Sequence, residues 1–338
     1  MAKKKKKNSG SGAFIIAFLL IGAMVLIWYI SSGNDSFLSF FDKPDEDGVS
    51  EIEVIDSKPV EPTDEGSTDE PDPVDSDVTT VDEPVIEPEP DNSLDEAGFD
   101  LSVDTLTLSN ETEIWSWRRN SNHEPIESYS SLSTEALKAL GTYYIVDTDE
   151  KVVYLTFDEG YENGYTESIL DTLLEYNVKA AFFVTETYIE YSPELVTRMK
   201  EEGHIVGNHS STHPDFTTLT DEEIEQELIS TSDTMAELTG YDMDMFLRPP
   251  AAAYSERTLY VARRLGYRNI FYSMAYEDWL VDEQPGAEAA LDHVMTNYHK
   301  GAIILLHAVS SSNAEALGDM ITELKALGYR FGYLYEVE

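Results

Sequence analysis

The chain of 338 residues carries 22 Lys and Arg against 66 Asp and Glu, a formal net charge of −44. That balance excludes a general nucleic-acid binder, because phosphate backbones are bound by basic faces. Apolar residues make up 41 % and cysteine is absent; a sizeable core is available, while a disulfide scaffold, a thiolate zinc site and a cysteine nucleophile are all excluded.

Lys3 to Lys7 open the chain, and no acid precedes Asp35. Ala13 to Ile30 then runs apolar or small without interruption and carries Trp28 and Tyr29 near its far end. Such a run has the minimum length for crossing a bilayer, its aromatic pair suits the interface, and the lysines favour the cytoplasmic side. Ile30-Ser31-Ser32-Gly33 is a poor match to a signal-peptide cleavage site. Residues 1–33 are therefore expected to be a short cytoplasmic tail and an uncleaved single-pass anchor, with the rest of the chain outside the cytoplasm. Residues 34–100 are acidic and hold eight of the chain's 14 prolines: Pro44, Pro59, Pro62, Pro71, Pro73, Pro84, Pro88 and Pro90. A segment so poor in apolar surface cannot offset its ordering entropy, and it reads as a disordered, self-repelling spacer reaching about 50 Å or more.

Residues 101–338 read as one domain of repeating β-α units. Val152 to Phe157 is a buried strand and Thr166 to Tyr176 an amphipathic helix. Ala180 to Val184 is the next strand. Ser192 and Pro193 start a helix that Gly203 stops. Ile205-Val206 is a short strand. Thr220 and Glu223 form a capping box for a long helix ending at Gly240. Met245 to Leu247 is strand-like, Arg257 to Leu265 a helix closed by Gly266, and Asn269 to Ser273 a strand. Residues 287 to 299 are helical, Ala302 to Leu306 a strand, Ala314 to Leu327 a helix closed by Gly328, and Tyr329 to Leu334 a last strand. Seven strands alternating with six helices imply parallel strands with right-handed crossovers. A barrel and an open doubly wound sheet both fit the alternation. The polar residues favour a distorted or incomplete (β/α)7 barrel, because Asp158-Glu159, His209, Arg248, Asp278 and His307 fall at or beyond the C-terminal ends of strands, where barrel active sites assemble.

Five short segments carry the chemistry. In Thr156-Phe157-Asp158-Glu159-Gly160-Tyr161, two acids leave an apolar strand together. In His209-Ser210-Ser211-Thr212-His213, two histidines at i and i+4 on one helical turn can reach one metal ion. Leu247-Arg248-Pro249-Pro250 places a rigidly held Arg that needs an acid partner if buried. Glu277-Asp278-Trp279 sets an acid beside an aromatic ring. Leu305-Leu306-His307-Ala308 ends an apolar strand on a histidine.

In this order and spacing the segments resemble the polysaccharide deacetylase family (carbohydrate esterase family 4, the NodB homology domain) over residues 150–335. Phe157 to Tyr165, Gly203 to His209, Val281 to Gln284 and Asn313 to Leu317 look like its delta-lactam-forming branch, as does Trp117 with Asn122-His123-Glu124-Pro125. The resemblance implies removal of acetyl from N-acetylmuramic acid in the glycan strands of spore-cortex peptidoglycan. Residue by residue, it implies Asp158 as general base and His209 and His213 as ligands of a divalent metal, usually zinc. Glu159 stands where the wider family has a metal-binding Asp. Arg248 would hold Asp158, and His307 would be the general acid, set by Asp278. The backbone N–H of Ala251 would face the oxyanion, with Tyr161 and Trp279 at the substrate. Ala251-Ala252-Ala253 stands where the family usually has a residue followed by Gly. Two further readings are an enzyme acting on N-acetylglucosamine or O-acetyl groups, and a silent glycan-binding module.

Overall fold

The computed structural model describes residues 99–118 and 122–337. The run 13–30 expected to cross a membrane and the acidic segment up to residue 98 lie outside them. Among the described residues no helix is long and apolar enough to cross a membrane.

In chain order the elements are β1 (Glu113–Ile114), α1 (Thr134–Ala139), β2 (Thr142–Tyr143), β3 (Val152–Glu159), α2 (Thr166–Glu175), β4 (Ala181–Val184), α3 (Glu186–Tyr191), α4 (Pro193–Glu201), β5 (Ile205–Asn208), α5 (Asp221–Thr239), β6 (Phe246–Leu247), β7 (Ala253–Tyr254), α6 (Glu256–Arg264), β8 (Arg268–Ile270), α7 (Ala287–Asn297), β9 (Ala302–His307), α8 (Ser311–Ala326) and β10 (Arg330–Phe331). One parallel sheet runs in the order β10-β3-β4-β5-β6-β8-β2, and β9 also pairs with β3. A parallel bridge from Met274 to Ile304 links the stretch after β8 to β9. The sheet is a curled half-barrel of parallel strands, consistent with a distorted (β/α) barrel. It holds eight strands rather than seven, because β2 adds to β8, and a two-residue strand has no periodicity to read.

β3 is buried along its whole length, which is why its sequence is apolar without alternation. Its successive side chains still face opposite ways. Val153, Leu155 and Phe157 pack with Ile169, Leu170 and Leu173 of α2 and with Leu317, Met320 and Ile321 of α8. Val152 and Tyr154 pack inside the curl with Phe183, Ile205, Phe246 and Ile303. Asp158 continues the inner face and Glu159 the outer one. Gly207 lets β5 approach its neighbours: a Cβ there would lie 2.7 Å from the Phe246 carbonyl oxygen and 2.9 Å from the Phe183 ring.

The capping box of α5 forms in both directions between Thr220 and Glu223, and Gly240 ends the helix in the left-handed region at φ 76°. Helix α3 was not legible: it starts directly after β4 on Thr185, whose hydroxyl accepts from Tyr188 N–H. Helix α8 starts three residues earlier than its apolar spacing indicates, because Ser310 caps it by accepting from Asn313 N–H. The expected helical turn at residues 209–213 is absent. Ser210 and His213 adopt positive φ, 69° and 58°, so the histidines meet across an irregular turn.

Candidate active site

Strand register brings the chemistry together. Asp158 pairs with His307 across β3 and β9. Asn208 pairs with Leu247 across β5 and β6, which sets His209 and Arg248 side by side. The cleft above these strand ends has two lobes of about 410 and 390 Å³, and Asp158, His209, His213, Trp279 and His307 line both. Tyr161, Thr185 and Thr187 belong to one lobe. Arg248, Ala251 and Tyr272 belong to the other.

Asp158 is 7 % exposed. Its Oδ1 accepts from Arg248 Nη1 at 2.7 Å, and its Oδ2 lies 3.7 Å from His209 Nε2. Burial pushes this carboxyl up, but the Arg248 charge, with His307 and the Arg248 hydrogen bond, outweighs it and holds it below the ordinary carboxylate value. Arg248 is itself buried, donates from Nε to the Ile270 carbonyl at 3.1 Å, and lies over the Phe183 ring at 4.3 Å and Tyr272 at 5.6 Å. This aromatic bed was missed in the sequence, where both rings look like ordinary core.

The second pair is Asp278 and His307. Asp278, 1 % exposed, receives His307 Nδ1–H on Oδ1 at 2.7 Å and the His307 backbone N–H on Oδ2 at 2.9 Å. Burial works against the imidazolium, but the Asp278 hydrogen bond and charge raise His307 above its ordinary value. A carboxylate held ionised and an imidazole held protonated on neighbouring strands can serve as base and acid at one bond. Trp279 sits 5.6 Å from the His307 ring and is 48 % exposed, as Tyr161 is 52 % exposed; both present aromatic surface at the cleft.

The two histidines offer the donor chemistry for a divalent cation. His209 Nδ1 lies 2.8 Å from the Arg248 carbonyl, which only accepts, so Nδ1 carries the proton and Nε2 is a free lone pair. Burial pulls His209 down to about 4 and lowers His213 as well, keeping both neutral as ligands must be. Their rings are 4.8 Å apart. Glu159 stands apart from them. Its side chain leaves β3 on the face opposite Asp158 and does not line the cleft. Both of its oxygens are buried without a hydrogen-bond partner, and burial, then Glu162 and Asp158, raise it well above the ordinary value. Among the described residues no three His, Asp or Glu side chains form one metal-binding cluster. The residues therefore fit a metal at the histidine pair, with the carboxylate donor not in place.

Ala251 lines the cleft with φ 52°, followed by Ala252 at 54°. Two consecutive non-glycine residues in the left-handed region are strained, and the segment before the barrel holds them. β1 pairs antiparallel with β7, Trp115 N–H donates to the Ala252 carbonyl at 2.8 Å, and Trp115 Nε1 donates to the Tyr272 carbonyl at 2.8 Å. The Trp115 ring stacks on Phe271 at 4.6 Å.

Comparison with known proteins gives a concordant picture. The profile of the polysaccharide deacetylase family matches residues 145–270. The peptidoglycan-N-acetylmuramic acid deacetylase PdaA of Bacillus subtilis is 45 % identical over 224 residues, 66 % of this chain and 85 % of that protein. The solved structure of Bacillus subtilis PdaA, a family 4 carbohydrate esterase, superposes with a TM-score of 0.66 at 43 % identity, covering 68 % of this chain and 98 % of that one. The peptidoglycan-N-acetylglucosamine deacetylase PgdA of Listeria monocytogenes is 36 % identical over 181 residues, 54 % of this chain and 37 % of that protein.

Proposed function

The chain belongs to the polysaccharide deacetylase family, hydrolases of amide C–N bonds, and from that membership we propose that it removes acetyl groups from N-acetylmuramic acid in the glycan strands of peptidoglycan. The greater likeness to a muramic acid deacetylase, in identity and in coverage, supports muramic acid over glucosamine. The single observation that carries the reading is the facing of two buried pairs, Asp158–Arg248 and Asp278–His307, across one cleft.

In the proposed reaction Asp158 takes a proton from the attacking water. Arg248 holds the Asp158 carboxylate charged and fixed. The Ala251 backbone N–H faces the developing oxyanion, the usual device for stabilising it. His307 donates its proton to the leaving nitrogen, and the C–N bond breaks to acetate and a free amine. Asp278 keeps the imidazole charged and oriented until that step. Tyr161 and Trp279 give the sugar ring flat apolar surface. His209 and His213 would hold a divalent metal, zinc by analogy with the family, which supplies Lewis acidity when bound. A muramic amine so freed neighbours its own lactyl carboxyl, which suits delta-lactam formation in the spore cortex.

The sequence supports a tethered arrangement. Residues 1–33 would anchor the protein with its N-terminus in the cytoplasm, 34–100 would act as an acidic spacer, and 101–338 would be the catalytic domain in the envelope. The test is acetate release from intact peptidoglycan, peptide-stripped strands and N-acetylglucosamine oligomers, with added zinc and with chelator. Zinc-dependent release from stripped strands, with the acetyl lost from muramic acid, is the expected result. Release only from glucosamine oligomers overturns the muramic assignment. Glycan binding with no release at all overturns the enzyme.

A further inference from the structure

Asp278 is a buried carboxyl, yet no Lys or Arg pairs with it among the hydrogen bonds and ion pairs of the described residues. Three N–H groups surround it instead. Two belong to His307. The third is Asn313 Nδ2, 2.6 Å from Asp278 Oδ2. The same amide group also donates to the His307 backbone carbonyl at 3.1 Å. One side chain thus grips both members of the pair, one by its carboxylate and the other by its main chain.

Asn313 is fully buried and cannot rotate away. Its Oδ1 accepts from the Tyr276 hydroxyl, which also fixes the amide so that nitrogen, not oxygen, faces Asp278. Its backbone N–H donates to Ser310 Oγ at 3.1 Å, which places it in the first turn of α8. Ser310 Oγ in turn donates to Gln284 Oε1 at 2.5 Å, and Gln284 Nε2 donates to the Asp278 carbonyl at 2.6 Å. The loop bearing Asp278 and Trp279 is therefore stapled to the start of α8. Of the side chains hydrogen-bonded in this network, only His307 lines the cleft, so the Asn313 amide acts on the reacting atoms through Asp278 and His307.

We propose that Asn313 is a positioning residue: its amide N–H clamps the Asp278 carboxylate against His307 and fixes the direction in which the imidazole offers its proton. The proposal deepens the deacetylase reading and rests on it for the role of His307. The clamp itself is a statement about hydrogen bonds and is testable without turnover.

Two variants test it, Asn313→Leu and Asn313→Asp, in the full-length protein. Leu fills the volume without donating. Asp restores a donor only when its carboxyl is protonated. In proton NMR, the Asp278-bonded Nδ1 proton of His307, assigned by its loss in Asp278→Asn, is expected far downfield in the parent. It should move upfield or broaden in Asn313→Leu. In acetate release, Asn313→Leu should lose on the order of 100-fold in kcat, the scale of a misplaced catalytic group, with KM little changed. Asn313→Asp should be impaired at neutral pH and recover relative to the parent as pH falls. An unchanged downfield proton in folded Asn313→Leu overturns the clamp whatever the enzyme's substrate. Equal loss of activity in Asn313→Asp at every pH, tracking a lowered melting temperature, also overturns it in favour of a purely structural residue. Should the parent release no acetate from any glycan, the deacetylase reading fails while the NMR result still decides the clamp.

Discussion

At the scale of single residues, the site depends on which buried charges have partners. Asp158→Asn removes the base but keeps an acceptor for Arg248, so acetate release should vanish while the circular dichroism spectrum is retained. Arg248→Met leaves Asp158 buried without its cation, and breaking a buried pair from one side costs about 3–5 kcal/mol; urea denaturation should show the drop. The pH dependence follows from the two opposed shifts. Asp158 is lowered, so its contribution to stability is full above the ordinary carboxylate value of about 3.9 and is lost as pH falls through its lower folded value. His307 is raised, so its contribution is full below about 6.5 and is lost as pH rises through its higher folded value. Activity needs Asp158 charged and His307 protonated, which gives a bell-shaped kcat profile. Asp278→Asn removes what raises His307, and the alkaline limb should move to lower pH.

At the scale of elements, the cleft depends on close approach beneath it. Gly207→Ala forces a methyl group toward the Phe246 carbonyl and the Phe183 ring, the ring that beds Arg248. Overpacking of this kind costs about 1–3 kcal/mol, and here it should lower both melting temperature and kcat. The main strands were legible because burial on both faces writes a continuous apolar run, as in Val152 to Phe157 and Ala302 to Leu306. The long helix Asp221–Thr239 was legible from its capping box and closing glycine. Other elements were not, each for a physical reason. Glu186–Tyr191 follows a strand with no loop to announce it. β1, β2 and β7 have two residues each and no period. The His209–His213 spacing fits a helix, but Ser210 and His213 occupy left-handed conformations that residue type does not disclose. Of the site itself, the sequence marked Asp158, His209, His213, Arg248, Trp279 and His307 but not Thr185, Thr187 or Tyr272, whose residue types look like ordinary strand ends and core; the family resemblance put Glu159 with the two histidines. Strand alternation sends that side chain to the opposite face, so Glu159→Gln should leave zinc affinity, measured by calorimetry, unchanged.

At the scale of the whole molecule, the membrane anchor proposed for residues 1–33 has a direct test. Deleting residues 1–33 should move the protein from the membrane to the soluble fraction on centrifugation, with kcat on stripped strands unchanged. A different consequence comes from the strap formed by β1 and Trp115. Trp115 Nε1 bonds a carbonyl 157 residues further along the chain, and Tyr254 bonds Glu113 across 141 residues. Contacts of such long range form late, after the loop between them has been closed. During synthesis the strap emerges early and waits for Ala252, Phe271 and Tyr272, and His307 comes later still. A partly synthesised chain thus has neither the wall that steadies Ala251 nor the acid that completes the reaction. The order of residues along the chain works as a timer, withholding a wall-modifying activity until His307 has been made.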